Sequence, residues 1–177
     1  MFVELGGGGI MKTIVVGLGN PILGDDGVGW RVAEDIQKQL PQFLSQAEGK
    51  IDVTRLSLGG LGLMEQLIGY DRAILIDAFE TDDQPGSILI MKLNDLPNYT
   101  AFHTPSARDV SLQKAIELGR MLGAILPKEV EVVGITTSKV QDFSEELSPP
   151  IADVVSFAAR IVLDLLQQIQ IHKEQYA

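Results

Sequence analysis

The feature that most constrains this chain is the opening of its periodic part. A β-branched apolar run, TIVVGL at residues 13–18, breaks off into Gly-Leu-Gly-Asn-Pro and leads into a helical pattern. A short apolar run closed by a glycine-rich turn reads as a buried strand. Asp25-Asp26-Gly27 follows, and apolar residues then recur at Val28, Val32, Ile36 and Leu40. That i, i+4 stripe is a helix with one face on a core, opened by the aspartates and predicted to stop before Pro41. Strand, tight loop and helix in this order leave few options. The next strand returns parallel to the first, with the helix packed on one face of the sheet.

The pattern repeats along the chain. Residues 51–58 alternate as a second strand, closed by Gly59-Gly60, and residues 61–68 suggest a short helix. Residues 73–78 (AILIDA) form a third strand, apolar except for Asp77 near its end. Residues 87–93 (SILIMKL) form another, reached through the polar loop 80–86. That loop is too short for a helical crossover, so this strand is expected to run antiparallel to a neighbour. Leu112, Ala115, Ile116, Gly119 and Leu122 mark a helix, residues 130–135 a last strand and residues 136–147 a polar loop. From Ser148 the stripe Ile151, Val154, Val155, Ala158, Ile161, Val162, Leu165 and Ile169 reads as one long terminal helix. The expected fold is α/β: a three-layer sandwich, with a twisted, mostly parallel five-stranded sheet and helices on both faces. Residues 11–177 are expected to form a single domain. Residues 1–10, acidic at Glu4 and rich in glycine, read as a flexible leader rather than a signal peptide.

Composition narrows the chemistry. A chain of 177 residues suits one domain with a sizeable core, and 45% hydrophobic against 21% charged residues is ordinary for a folded protein. A formal net charge of −10 repels phosphate backbones, so no nucleic-acid or anionic-membrane partner is expected. No apolar run reaches the ~18 residues of a membrane span, and the expected location is cytoplasmic. With no cysteine there is no disulfide framework, zinc ribbon or cysteine nucleophile. Only two histidines, His103 and His172, are present, so a metal centre here relies mainly on carboxylates.

In sheets of this kind sites form at the carboxyl ends of strands. The loop after Leu18, the Gly59-Gly60 turn, Asp77 and the loop after residue 135 all fall there. The turn Gly17-Leu18-Gly19-Asn20 does not complete a dinucleotide fingerprint. Ile22 stands where a third glycine is required, and no acidic residue closes the second strand. One aspartate of the Asp25-Asp26 pair suffices as a helix cap, which leaves the other free to point at the rim. Asp77 interrupts a buried apolar strand, where an isolated carboxylate is very costly. It either caps the amides of the next loop or lines a site.

The run Gly17-Leu-Gly-Asn-Pro-Ile-Leu-Gly-Asp-Asp-Gly-Val-Gly29 resembles the G-x-G-N-x-x-x-x-D-[DE]-x-x-G opening of the hydrogenase maturation proteases. The similarity continues through Gly59-Gly60, Ile74-Leu-Ile-Asp-Ala78, Leu118-Gly-Arg-Met-Leu-Gly123, Pro127 and Val132-Val-Gly-Ile135. Those enzymes trim a C-terminal extension from the large subunit of nickel–iron hydrogenases. The resemblance implies a metal-dependent endopeptidase whose partner is the large-subunit precursor and whose metal is nickel, recognised in that precursor. It implies Asp26 and Asp77 as catalytic and metal-binding residues, with Gly19, Asn20, Asp25, Gly59, Gly60 and Arg108 lining the site. The family's third ligand is a histidine in a segment resembling S-x-H-D; here that segment is Ser106-Ala-Arg-Asp109, so Arg108 stands in the histidine's place.

His103, five residues earlier, is then the remaining candidate ligand. Ser106 and Asp109 read as the start of the following helix, which puts Arg108 in its first turn, where a cation opposes the helix dipole. The carboxylates of Asp26 and Asp77 are its natural compensation. The alternative expectation is a family paralogue without a working metal site, in which Arg108 bridges these carboxylates and the protein serves as a binding or scaffold module. His172 reads as solvated. Lys139, Asp142 and Glu145 read as a solvated lip on the loop after the last strand.

Overall fold

The structure, a computed structural model, describes residues 10–44, 49–82, 84–96, 110–138 and 143–174. Five strands, β1 (Lys12–Leu18), β2 (Lys50–Leu56), β3 (Arg72–Glu80), β4 (Ile88–Lys92) and β5 (Glu129–Thr137), form one sheet in the order β2-β1-β3-β5-β4. β1 pairs parallel with β2 and β3, β3 pairs parallel with β5, and β4 runs antiparallel to β5 as its loop length requires. The helices are α1 (Val28–Leu44), α2 (Gly60–Gln66), α3 (Leu112–Met121), α4 (Pro149–Ala152) and α5 (Val155–Glu174).

Alternation along the strands builds two cores. On β3, Ala73 and Leu75 pack on one face with Leu63, Met64 and Leu67 of the α2 region and with Leu112, Ala115 and Ile116 of α3. Ile74 and Ile76 pack on the other with Val28, Val32 and Ile36 of α1 and Ala158, Ala159 and Val162 of α5. Both faces of the central strands are covered, which is why they read as continuous apolar runs. The expected three-layer arrangement is the observed one. Among the described residues, no helix is long and apolar enough to cross a membrane.

Three local expectations are corrected. α1 does not stop before Pro41 but carries it inside its last turns and ends at Leu44. A proline there forfeits a backbone bond to Gln37, while Phe43 beyond it packs on the core and holds the turn in place. The terminal stripe is two helices rather than one. Pro149 and Pro150 open α4, and the N–H of Val154 bonds three residues back to Ile151 O at 3.3 Å before α5 begins. Ile151 and Ala158 remain fully buried across the break, so the stripe keeps its period. Finally, α3 is capped by Ser111, whose hydroxyl accepts from the N–H of Lys114 at 3.4 Å, and not by the Ser106–Asp109 segment. Ser111 puts the same cap chemistry five residues later in the chain.

Candidate active site

The sheet order fixes where a site belongs. From β1 the chain crosses to β2 on one side and then to β3 on the other, so the carboxyl ends of β1 and β3 flank the topological switch point. Asp26 follows β1 and Asp77 lies near the end of β3, one on each side of that crevice.

The loop after β1 is shaped by what its glycines allow. Gly19 has φ of +125°, and a β-carbon there would sit 1.8 Å from the carbonyl oxygen of Asp26. No other residue permits the loop to fold back so closely on the 3₁₀ turn Gly24–Gly27 that carries the aspartates. Gly29, in the first turn of α1, lies over both strand ends. A β-carbon there would stand 2.3 Å from Leu18 O and 2.4 Å from Ile76 O. The helix therefore seats directly on β1 and β3, and the turn bearing Asp26 comes against β3, the strand that carries Asp77.

Asp26 is half-buried, and its Oδ2 accepts the N–H of Asn20 at 2.6 Å. Asp77 is fully buried, and its Oδ1 accepts the N–H of Ala78 at 3.0 Å, a bond within β3 rather than to the amides of the loop that follows. By alternation Asp77 points to the α2–α3 side. Asp25 is turned away toward the loop after β5: Ser148 donates its N–H to Oδ1 and its hydroxyl to Oδ2, both at 2.7 Å. Asn20 also orders the loop itself, its Oδ1 accepting from the N–H of Ile22 at 3.2 Å. Ser57, just past β2, donates its hydroxyl to Gly19 O at 2.7 Å and ties the second strand end to the same rim.

Gly59 caps α2, and Gly60, at φ of +50°, lies against Val110, whose carbonyl oxygen would be 2.6 Å from a β-carbon there. The chain just ahead of α3 is thereby brought to the β2 side of the rim. His103 and Arg108 lie outside the described residues, as do Lys139 and Asp142. The cap at Ser111 changes one expectation about Arg108: it stands three residues before the cap of α3 and not in that helix's first turn. Glu145 uses its backbone, accepting the Arg31 guanidinium at 2.9 Å. His172 falls within α5. Among the described residues no three metal-ligating side chains form a group.

Sequence reasoning missed the segment 144–148. Ser144 pairs with Leu23 as an isolated parallel bridge, and Gly24 donates to Ser144 O at 2.7 Å. No local signal announces it, because the partners are more than a hundred residues apart in the chain. It also missed a cavity of about 680 Å³, lined by Lys92, Gln113, Glu117, Arg120, Lys128 and Glu129 among others. That cavity lies at the amino end of β5, opposite the aspartates.

Comparison with known proteins adds the family. Residues 46–165, more than half of the chain, match the profile of the HycI hydrogenase maturation proteases. The chain is 24% identical over 159 residues to the hydrogenase expression/formation protein HupD of Bradyrhizobium diazoefficiens, covering 89% of this chain and 79% of that one. It is 23% identical to the hydrogenase 2 maturation protease of Escherichia coli, over 89% of this chain and 92% of that one. Among solved structures, the hydrogenase maturating endopeptidase HybD of Escherichia coli superposes with a TM-score of 0.69 at 22% identity, covering 89% and 93% of the two chains. HycI of Thermococcus kodakarensis superposes with 0.64 at 15% identity, covering 90% and 95%. At such identities the structures speak to the fold, and the profile match to the lineage: the chain belongs to the hydrogenase maturation protease family.

Proposed function

We propose that this chain is the endopeptidase that removes the C-terminal extension of a nickel–iron hydrogenase large-subunit precursor in the cytoplasm, after nickel has been inserted. The observation that carries the reading is Asp77, a fully buried carboxylate near the carboxyl end of a central strand that contacts the turn bearing Asp26. A carboxylate in that position has to be answered by hydrogen bonds or a cation. Two carboxylates at one crevice supply the charge and oxygen donors that a divalent metal takes, which fits nickel carried in by the precursor. His103 is the proposed third ligand.

The nickel of the substrate supplies Lewis-acid polarisation of a peptide carbonyl or activation of water. The chain's own residues bind and orient. Asp26 and Asp77 fix the cation and with it the adjoining peptide bond. Asn20 holds the Asp26 carboxylate through its N–H, and Gly60, pressed against Val110, seats the chain ahead of α3 beside the rim that Gly59 opens. The absence of cysteine removes thiol-based nucleophilic catalysis. Arg108 in the histidine's place favours a second reading, in which the guanidinium neutralises the two carboxylates and the chain binds the precursor without cutting it.

Purified chain incubated with nickel-loaded and nickel-free precursor, followed by intact-mass spectrometry, tests this. Shortening of the nickel-loaded precursor alone is expected. An uncut precursor that still co-elutes with the chain would establish the second reading instead.

A further inference from the structure

Two adjacent aspartates open the motif, and the structure separates their roles. Asp25 is engaged on both oxygens by one residue, Ser148, 123 positions away, through its N–H and its hydroxyl at 2.7 Å each. Short bonds of this kind to an ionised carboxylate are roughly twice as strong as neutral ones. The same segment is laced to the loop after β1 at further points. Gly24 N–H donates to Ser144 O at 2.7 Å, and Ser144 N–H donates to Ile22 O at 3.1 Å. The Arg31 guanidinium reaches Glu145 O at 2.9 Å. Ser144 in turn locks the strap, its Oγ accepting from the Glu146 N–H at 3.0 Å.

Asp25 and Asp26 are consecutive residues of one 3₁₀ turn, so their side chains leave it about 120° apart. Holding the first outward against the strap fixes the rotation of the turn and thereby the direction of the second. In that orientation Asp26 Oδ2 meets the Asn20 N–H at 2.6 Å.

We infer that Asp25 is a positioning residue and Ser148 its anchor: the strap 144–148, contributed by the loop after β5, aims the Asp26 carboxylate at the switch point. The catalytic consequence rests on the proposed role of Asp26 in precursor processing, whereas the aim of the carboxylate is a property of the chain alone. The two therefore receive separate readouts.

The first is the ¹H–¹⁵N spectrum of the Asn20 amide, which donates to Asp26 and needs no substrate. Its proton is expected downfield and slow to exchange in the wild type and in Ser148→Thr, which keeps the hydroxyl. In Ser148→Ala and Asp25→Asn it moves upfield and exchanges faster. Arg31→Gln, which removes a strap contact away from Asp25, leaves it unchanged. The second is precursor processing by the same panel. Ser148→Ala and Asp25→Asn lower kcat about tenfold or more with KM kept, in line with the cost of a misaimed group, and Ser148→Thr recovers it. An Asn20 amide that ignores Ser148→Ala and Asp25→Asn overturns the inference, as does a kcat loss in Arg31→Gln equal to theirs. An inactive wild type whose Asn20 amide follows the panel overturns the proposed reaction and leaves the positioning established.

Discussion

The two ends of the sheet each bury a charge, and they do so differently. At the amino end Arg72 opens β3 with 4% exposure, and its guanidinium is met by Glu131 on β5 and by Leu165 O at 3.1 Å on α5. These are neighbouring elements that any folded copy of the chain brings together, and the pair ties the last helix to the sheet. At the carboxyl end Asp77 is fully buried on the same strand, next to a loop bent by Gly19, seated by Gly29 and laced by the strap. One charge closes a structure; the other stands where backbone geometry has been shaped around it. Burial alone therefore does not tell the two charges apart, but what surrounds them does; on the proposed function the chemistry lies with Asp77 and not with the cavity of about 680 Å³ at the amino end.

Breaking the comparison at its carboxyl end gives the largest expected effect. Asp77→Asn keeps size and some hydrogen bonding but removes the charge that, on the proposed function, holds the cation. Precursor processing is expected to fall by about a hundredfold or more, the scale for losing a key electrostatic contact, with the thermal transition nearly unmoved. Parallel activity and melting measurements check both halves.

At the amino end the pattern inverts. Glu131→Gln leaves the Arg72 charge poorly answered, and a loss of about 2–3 kcal/mol is expected. That is below the about 3–5 kcal/mol of a fully buried pair, because Glu131 retains some water contact. For a chain of this size it corresponds to roughly 5–10 °C in the midpoint, read by calorimetry, while kcat of the folded fraction stays at the wild-type value.

Arg108→His tests the proposed metal site by putting an imidazole at the sequence position where the resemblance implies the family's third ligand. Isothermal titration is expected to show nickel and zinc binding tightened by about tenfold or more relative to the wild type. Tight binding by the wild type with no gain in the variant would assign the third ligand elsewhere, with His103 the candidate.

The smallest effect lies at the amino end again. Tyr70 is pushed above the usual phenol value by burial first and then by its hydrogen bond, Oη to Asp52 Oδ2 at 2.9 Å. A raised acid binds its proton more tightly when folded. Its contribution to stability is therefore complete below the ordinary phenol pKa near 10 and is lost as pH rises through the folded value. Tyr70→Phe should cost about 1 kcal/mol at neutral pH and flatten the alkaline limb of a stability-versus-pH curve.

Much of the architecture was legible because it depends on local patterns. The apolar run at β1, the i, i+4 stripe of Val28, Val32 and Ile36, and the short loop before β4 each carry their own geometry. The errors arose where a distant contact overrides a local rule. Pro41 is tolerated because Phe43 is held by the core, and the terminal stripe splits where two prolines open α4. Asp77 was conspicuous in sequence because a carboxylate in an apolar strand violates local consistency, the signature expected of functional positions. The division between Asp25 and Asp26 was not legible. It depends on a serine contributed by the far end of the chain, and nothing in the spacing of two aspartates announces such a partner.

On the proposed function the precursor is cut at the carboxyl end of the sheet and not at the amino end. Intact-mass spectrometry of nickel-loaded precursor incubated with equal folded amounts of wild type, Asp77→Asn and Glu131→Gln distinguishes the two ends. Complete shortening by the wild type and Glu131→Gln, with full-length precursor surviving Asp77→Asn, is the predicted result. Shortening by Asp77→Asn at the wild-type rate would contradict it.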